Sequence, residues 1–476
     1  MRITSKSNLI ILSVLLGGCA LPMVGPDYQA ATPHMPSHWA AQSQDSNNPT
    51  NEDARLKRWW TQFEDESLNW LVDQALTGNL DLKLAQARLH QARAGQQLAG
   101  GGLYPAVSAS TSRSRNKNSD AIAPQATRTL YDAGFDATWE IDVFGGNRRA
   151  VEASAADLAA SQASLNSVRV SLVAELARNY IEFRSYQRRM AIARDNLASQ
   201  SETLQLTEWR YQAGLARASE VEQARTSREQ TRAGIPDIEV SLAAAENRIA
   251  LLLGRNPGEL HAMLAEQKPL PPVPASVATG IPADVLRQRP DLIAAERTLA
   301  AETARVGQKL AQRFPSLNLS GSFGWQAYSF AALGGAGTIT RALSGTLAAT
   351  LFDGGRLRSQ VDAQSAVQEQ ALVSYQSNVL TALEEVENAL KSYAAARERV
   401  DARRNAAESA RNAADLARNL YQSGLADFQQ VLETQRTQLT TEDSLATAEA
   451  ILRTSLITLY KALGGGWDIS TSEKTS

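Results

Sequence analysis

Hydrophobic and polar positions alternate strictly along residues 131–143. In YDAGFDATWEIDV the odd positions Tyr131, Ala133, Phe135, Ala137, Trp139, Ile141 and Val143 are apolar, while Asp132, Gly134, Asp136, Thr138, Glu140 and Asp142 are polar, acidic or glycine. Period-two alternation predicts a strand with one greasy face and one wet face. LSGTLAATLF repeats the pattern, with Leu343, Leu347, Ala349 and Leu351 opposite Ser344, Thr346 and Thr350. PSLNLSGSFGWQA sets Leu317, Leu319, Phe323 and Trp325 against Asn318, Ser320 and Ser322. PAVSASTS at 105–112 is the weakest of the four, with Val107 and Ala109 opposing Ser108, Ser110 and Ser112. The predicted strands are about 104–114, 130–143, 315–327 and 342–352.

Elsewhere the period changes. In LVAELARNYIEF and LEEVENALKSYAA the apolar residues recur at steps of three and four among many alanines, which predicts amphipathic helices packed closely side by side. From Arg148 to about Gln212 the chain has no proline and is rich in Ala, Leu, Glu, Gln and Arg. Those roughly 65 residues predict a helix close to 100 Å long. Taken alone, such helices read equally well as a soluble coiled-coil scaffold.

The whole pattern is written twice. Gly214 matches Gly424, an offset of 424 − 214 = 210, and Asp81/Asp291, Pro105/Pro315, Val151/Val361 and Gly254/Gly464 keep the same offset. YQAGLA at 211–216 returns as YQSGLA at 421–426, and LLLG returns as KALG. Each copy predicts a helix opened by Asp81 or Asp291, two strands, a very long helix, a turn at the repeated phrase and a second helix. Gly214 and Gly424 read as helix C-terminal caps in the left-handed conformation, which glycine alone enters cheaply. KPLPPVPASVATGIP between the copies suits an extended linker.

Segments of about ten residues with apolar-out, polar-in alternation fit outer-membrane barrel strands, although a soluble antiparallel sheet on a core alternates in the same way. Four strands cannot close a barrel, and an open sheet edge cannot sit in lipid, so the membrane reading requires copies of the chain to assemble. Around an aqueous lumen, Asp132, Asp136, Glu140 and Asp142 would face the passage and predict a mild cation preference.

Composition and chain start narrow the class. A net charge of −2 with 21% charged residues offers no basic face, which argues against a nucleic-acid partner. Arg2 and Lys6 followed by NLIILSVLLGG read as an export signal whose apolar run is too short to span a bilayer. LGGC at 16–19 ends on the chain's single cysteine and reads as a lipobox, with cleavage before Cys19 and lipid on its thiol; a signal cut near small residues beside an incidental cysteine is the plainer alternative. Ala20 follows, and the outer membrane is the expected address. Beyond the signal no apolar run of about 18 residues occurs, so further membrane contact must come from strands.

VGPDY after the cysteine, WWTQFEDESLNWLVDQALTGNLDLKLAQARLHQARA, WEIDVFGGNRRAVEASAA, RQRPDLIAAERTLAAETARVGQKLAQRFPSLNLSGSFG and LFDGGRLRSQVDA run, in order, along almost the whole mature chain. Together they resemble the TolC-like outer-membrane channels, the outer-membrane factors of RND-type tripartite efflux pumps, in their lipoprotein NodT branch. The resemblance implies a mainly α chain with membrane β-structure, a homotrimer with a twelve-stranded barrel, and a periplasmic tunnel of twelve packed helices. It further implies a tunnel closed at its far tip and opened through a periplasmic membrane-fusion adaptor and an inner-membrane RND-type pump, with no cofactor. The expected function is passive conduction of drugs and toxic compounds to the exterior. A type I protein-secretion duct and a non-channel lipoprotein scaffold of coiled helices are the alternatives.

On this resemblance the layout is a signal peptide at 1–18, a lipid-anchored extended segment at 19–55, repeat one at 56–268, a Pro-rich linker at 269–282, repeat two at 283–464 and a tail at 465–476. The tip turns fall near 211–217 and 421–427, placing Gly214, Leu215, Ala216, Gly424, Leu425 and Ala426 where the adaptor is expected to touch. DFQQVLETQR resembles the inner tip helix that carries the family's constriction, which makes Asp427, Glu433 and Arg436 candidate gate charges; an ordinary solvated helix face has the same composition. Enzyme motifs are missing: no GxSxG or GxxxxGK[ST] occurs, and His34-x-x-x-His38 in a Pro-rich coil is a weak metal signal. LGGAG at 333–337 reads as a barrel loop between strands three and four.

Overall fold

The computed structural model describes residues 23–30, 36, 38–40, 56–117, 127–274 and 288–467. The signal, Cys19 and His34 lie outside the described residues. Among the described residues the principal helices are α1 (Glu66–Gly78), α2 (Leu80–Gly101), α3 (Gly146–Gln212), α4 (Ala218–Leu252), α5 (Pro290–Ala311), α6 (Arg356–Gln422) and α7 (Phe428–Ala462). The strands are β1 (Ala106–Asn116), β2 (Arg128–Ile141), β3 (Ser316–Ala327) and β4 (Ile339–Ala348). The bounds of α2, α3 and α4 recur 210 residues later in α5, α6 and α7. Helices α3 and α6 each hold 67 residues, about 100 Å at 1.5 Å per residue.

The chain divides into two units. One comprises Met1–Thr32, Leu89–Ser161 and Ala295–Tyr375, and contains the whole sheet. Its strands run in the order β1-β2-β3-β4, all antiparallel, with β1 and β4 as edges. Phe135, Leu343 and Leu347 are 51%, 78% and 71% exposed, so the apolar face lies on no core within the chain. That removes the soluble-sheet reading, because a sheet packed on a core would cover these side chains.

The strands are shifted by up to four residues from the expected bounds, and two of them, β2 and β4, stop short at their C-terminal ends. The alternation through Ala349 and Leu351 predicts a fourth strand to 352, but β4 stops at Ala348, opposite Ser316. Pro315 precedes Ser316 and has no amide to donate, so the ladder ends there. Likewise β2 ends at Ile141, and Asp142 leaves the strand to cap α3: its carboxylate accepts from Asn147 N at 3.2 Å and Arg148 N at 2.9 Å.

The other unit comprises Pro33–Arg88, Gln162–Ala294 and Gln376–Ser476. Its core gathers Trp59, Phe63, Leu68, Leu176, Ile249 and Ile457, with Trp59 stacked on Tyr460 at 5.3 Å. Asp65 caps α1 through Leu68 N at 2.8 Å, and Asn79 caps α2 through Leu82 N at 2.9 Å. Asp81 sits within the first turn, as its position in the sequence predicts, and its charge favours the helix N-terminus.

Tyr180 is fully buried in this core, donating to Asp65 Oδ2 at 2.8 Å and accepting from Arg184 Nε at 3.1 Å. Burial pushes its phenol from 10 up to about 12, with Asp65 adding to the rise and Arg184 opposing it. The folded state therefore favours the neutral phenol. That stabilisation is complete below pH 10 and is lost as pH rises through 12; the difference is on the order of 3 kcal/mol. Denaturation midpoints from pH 9 to 12 should fall more steeply for the wild type than for Tyr180→Phe; parallel curves would show that Tyr180 contributes no such linkage.

Candidate functional site

The sheet and the paired helix turns carry the candidate residues. In the sheet, directly opposed residues share a face. Asp132 lies between Ser112 and Gln326, Asp136 between Ser108 and Ser322, and Glu140 beside Asn318. Ser110 Oγ donates to Asp136 at 3.4 Å, and Ser320 and Ser344 meet at 2.8 Å, so this is a hydrated polar surface. Tyr131, Phe135, Trp139, Phe323 and Trp325 occupy the opposite face. Three of the four acids singled out in the sequence thus share the polar face. Asp142 stands apart at the start of α3, where it also pairs with Arg148 Nε at 3.2 Å.

At each tip turn the chain ends a 67-residue helix and begins a 35-residue one. Gly214 and Gly424 have φ +73° and +75°, the left-handed conformation that an added Cβ would strain. Leu215 N donates to Arg210 O and Leu425 N to Leu420 O, both at 2.8 Å; with Gly214 N to Tyr211 O and Gly424 N to Tyr421 O, each turn is a Schellman cap. Leu215 and Leu425 are left 69% and 77% exposed, while Ala216 and Ala426 are half-buried.

The turns then part company. Asp427 caps α7 through Gln430 N at 2.9 Å, whereas its counterpart Arg217 makes no side-chain cap on α4. Glu433 and Arg436 are exposed, and neither forms an ion pair within the chain among the described residues. Between the turns, Arg210 donates to Tyr421 O at 2.9 Å and lies 4.6 Å from the Tyr421 ring centroid. Arg418 pairs with Glu202 at 2.7 Å and Gln435 Nε2 donates to Thr203 Oγ1 at 2.8 Å, so α3 is tied to both α6 and α7 near the tip.

Two features escape sequence reasoning. Arg210 sits in TEWRYQ with no motif to single it out. Arg149 sits in GGNRRA beside Arg148, yet only Arg149 is buried, holding residues of VGPDY through Val24 O and Gly25 O at 3.2 Å and Asp27 at 2.7 Å. Among the described residues no cluster of His, Cys, Asp and Glu is placed to hold a metal ion, and no helix is long and apolar enough to cross a membrane.

The Outer membrane efflux protein family model matches residues 71–255 and 281–465. Nodulation protein T of Rhizobium leguminosarum bv. viciae is 32% identical over 457 residues, covering 96% of this chain and 92% of its own. The pyoverdine export outer membrane protein OpmQ of Pseudomonas aeruginosa is 31% identical over 477 residues, covering 97% and 98%. The solved outer-membrane channel OprN matches with a TM-score of 0.87 at 36% identity, covering 93% of this chain and 99% of its own. The fold is therefore that of the TolC-like channels, mainly helical with a small sheet and two repeats. The two matched segments start 281 − 71 = 210 residues apart, the interval at which the helices themselves recur, and on that double agreement the chain belongs to the outer membrane efflux protein family.

Proposed function

We propose that three copies of this chain close their sheets into a twelve-stranded barrel and form the outer-membrane exit duct of a tripartite efflux system. The observation that supports this most directly is the four-stranded sheet with an exposed apolar face and two edges that pair with nothing else among the described residues. Lipid covers the apolar face, and neighbouring copies satisfy the edges. The duct is passive. Small molecules enter through an inner-membrane RND-type pump, which supplies the energy, and a periplasmic membrane-fusion adaptor engages the tip turns at Gly214, Leu215, Ala216, Gly424, Leu425 and Ala426. OpmQ is named for pyoverdine export, and a passage lined by Ser, Thr, Asn and acids selects little, so substrate choice belongs to the pump.

Conductance in planar bilayers tests the duct: the purified protein is expected to form ion-conducting channels, and a preparation that assembles but never conducts, even with Glu433 and Arg436 replaced, would support a scaffold instead. Asp132, Asp136 and Glu140 line the barrel in this reading. Their joint replacement, Asp132→Asn, Asp136→Asn and Glu140→Gln, is expected to lower the K⁺ over Cl⁻ permeability ratio by about twofold or more, read as a shift in reversal potential. An unchanged ratio would place the acids away from the ion path.

Glu433 and Arg436, exposed and without an ion pair among the described residues, are the gate charges of this proposal, meeting their counterparts around the three-fold axis. Asp427 contributes mainly as a helix cap. Cys19 carries the lipid anchor in the outer membrane, and Cys19→Ser is expected to abolish palmitate labelling; labelling that persists would refute the lipobox.

A further inference from the structure

The apolar face of the sheet is interrupted by three arginines. Arg113 lies opposite Tyr131 and Arg115 opposite Thr129, while Arg341 lies opposite Phe323, which itself faces Phe135. Cross-strand partners share a face and residues two apart on a strand share a face, so Arg113, Arg115 and Arg341 all stand on the greasy side with Tyr131, Phe135 and Phe323. The acids of the strands, Asp132, Asp136 and Glu140, all stand on the other side. Arg113, Arg115 and Arg341 are exposed and form no ion pair among the described residues.

Their height on the strands is not arbitrary. Arg113 and Arg115 fall in the last four residues of β1, and Arg341 is the third residue of β4. Each lies toward the strand end away from the helices, Arg113 and Arg115 near the last residue of β1 and Arg341 near the first of β4. Within one sheet, Arg341 is level with Ala109, four residues short of Arg113. An arginine facing lipid costs about 2–4 kcal/mol at the bilayer midplane and about 0–1 kcal/mol near the interface, so this end belongs at a headgroup layer. The aromatic residues around it, with Tyr131 against Phe330 and Phe323 against Trp325, suit the same layer.

β1 and β4 are the two edges of the sheet. When copies close into a barrel, β4 of one protomer lies beside β1 of the next, about 4.8 Å away. Where the register stagger of a closed barrel offsets that four-residue difference, each seam joins Arg341 of one copy to Arg113 and Arg115 of its neighbour. Three like charges at one junction repel unless an anion lies between them, and the apolar strip below offers a place for acyl chains.

Resting on the trimeric-barrel reading above, we propose that each seam between protomers binds the phosphorylated headgroup of an outer-leaflet lipid, held by Arg113 and Arg115 from one protomer and Arg341 from the next. The site exists only in the assembled barrel. Its ligand is a lipid carrying phosphate, which locks neighbouring copies together at the outer rim.

The test uses the full-length trimer purified in detergent, with lipid retention read by native mass spectrometry. Three probes are compared: bisphosphorylated lipid A, the same lipid with its phosphates removed, and inorganic phosphate. Bisphosphorylated lipid A is expected to remain bound at up to three per trimer, to survive competition by inorganic phosphate, and to be retained about tenfold better than the dephosphorylated form. Arg341→Ser alone and the pair Arg113→Ser with Arg115→Ser are each expected to lower retention by about tenfold, because either removes one side of the seam. Equal retention of the dephosphorylated lipid, or an Arg341→Ser trimer that binds as well as the wild type, would overturn the proposal. If the variants fail to assemble, retention by the wild-type trimer decides through its salt dependence. Phosphate-directed binding should weaken as ionic strength rises, and salt-independent binding counts against it. Conductance of the same preparation reports on the channel separately: a conducting trimer that ignores phosphate refutes the lipid site alone.

Discussion

Replacing Arg149 with Met is expected to free residues 23–30 from their seat beside α3 and α5 and to cost about 1–3 kcal/mol. Arg149 is 1% exposed and serves four acceptors: Val24 O and Gly25 O at 3.2 Å, and Asp27 and Glu152 at 2.7 Å. Asp27 is 83% exposed, so losing that pair matters little, since water replaces it. The loss comes chiefly from the two backbone carbonyls, which are left facing an apolar stem without a donor, while water also reaches the 39% exposed Glu152 carboxylate. Lysine at this position is expected to rescue only in part, because one ammonium cannot reproduce the planar fork that reaches all four acceptors.

The same segment is held at two further points. Gly25 has φ +94°, and a Cβ there would lie 2.4 Å from Gly307 Cα, so this backbone crossing admits no side chain. Tyr28 donates to Glu296 at 3.0 Å, and burial beside that carboxylate raises its phenol well above the ordinary value. Limited proteolysis distinguishes the outcomes. Wild-type protein should resist cleavage across 23–30 under conditions in which Arg149→Met and Gly25→Ala are cut. A variant with unchanged melting temperature and an intact segment would show that Arg149 is not the tie. In the proposed duct this segment leads to the lipid on Cys19, so releasing it would leave the anchor on a slack tether.

The long helices were legible because their signal is additive: 67 residues without proline and with steady three- and four-residue spacing outvote any local exception. The doubled sequence fixed their ends as well, since Gly214 and Gly424 mark the same cap twice. Strand ends were less legible. Alternation continues through Asp142 and through Leu351, but a strand exists only where a neighbour supplies hydrogen bonds. In one case a helix needing a cap took the carboxylate, and in the other Pro315 ended the ladder. Arg149 and Arg210 were illegible for a related reason. Each makes its decisive contacts with residues more than a hundred positions away, and the local sequence of a buried arginine on a helix looks like that of a solvated one. The acids of β2 were legible as one face, because a period of two assigns every side chain at once.

Arg210→Ala is expected to loosen the tip more than any single change at the exposed gate candidates. Arg210 reaches from α3 to α6, donating to Tyr421 O at 2.9 Å with its guanidinium carbon 4.6 Å from the Tyr421 ring centroid. A partly desolvated cation–π contact is worth about 2 kcal/mol, and a hydrogen bond from a charged donor adds about 1.5 kcal/mol. Removing both changes a two-state balance by roughly 300-fold. Arg210 Nε itself is buried with no acceptor among the described residues, so the tie rests on the Nη1 hydrogen bond and the ring contact. Glu433→Gln and Arg436→Gln, by contrast, remove exposed charges that form no ion pair among the described residues, so in the proposed trimer their effects depend on the neighbouring copies. Single-channel recordings should therefore show longer and larger openings for Arg210→Ala than for the wild type, with Arg210→Lys intermediate because it keeps the charge but loses the planar face. Equal openings in all three would mean that Arg210 steadies the helix pair without controlling its aperture, and the gate would then rest on Glu433 and Arg436 meeting across the three-fold axis.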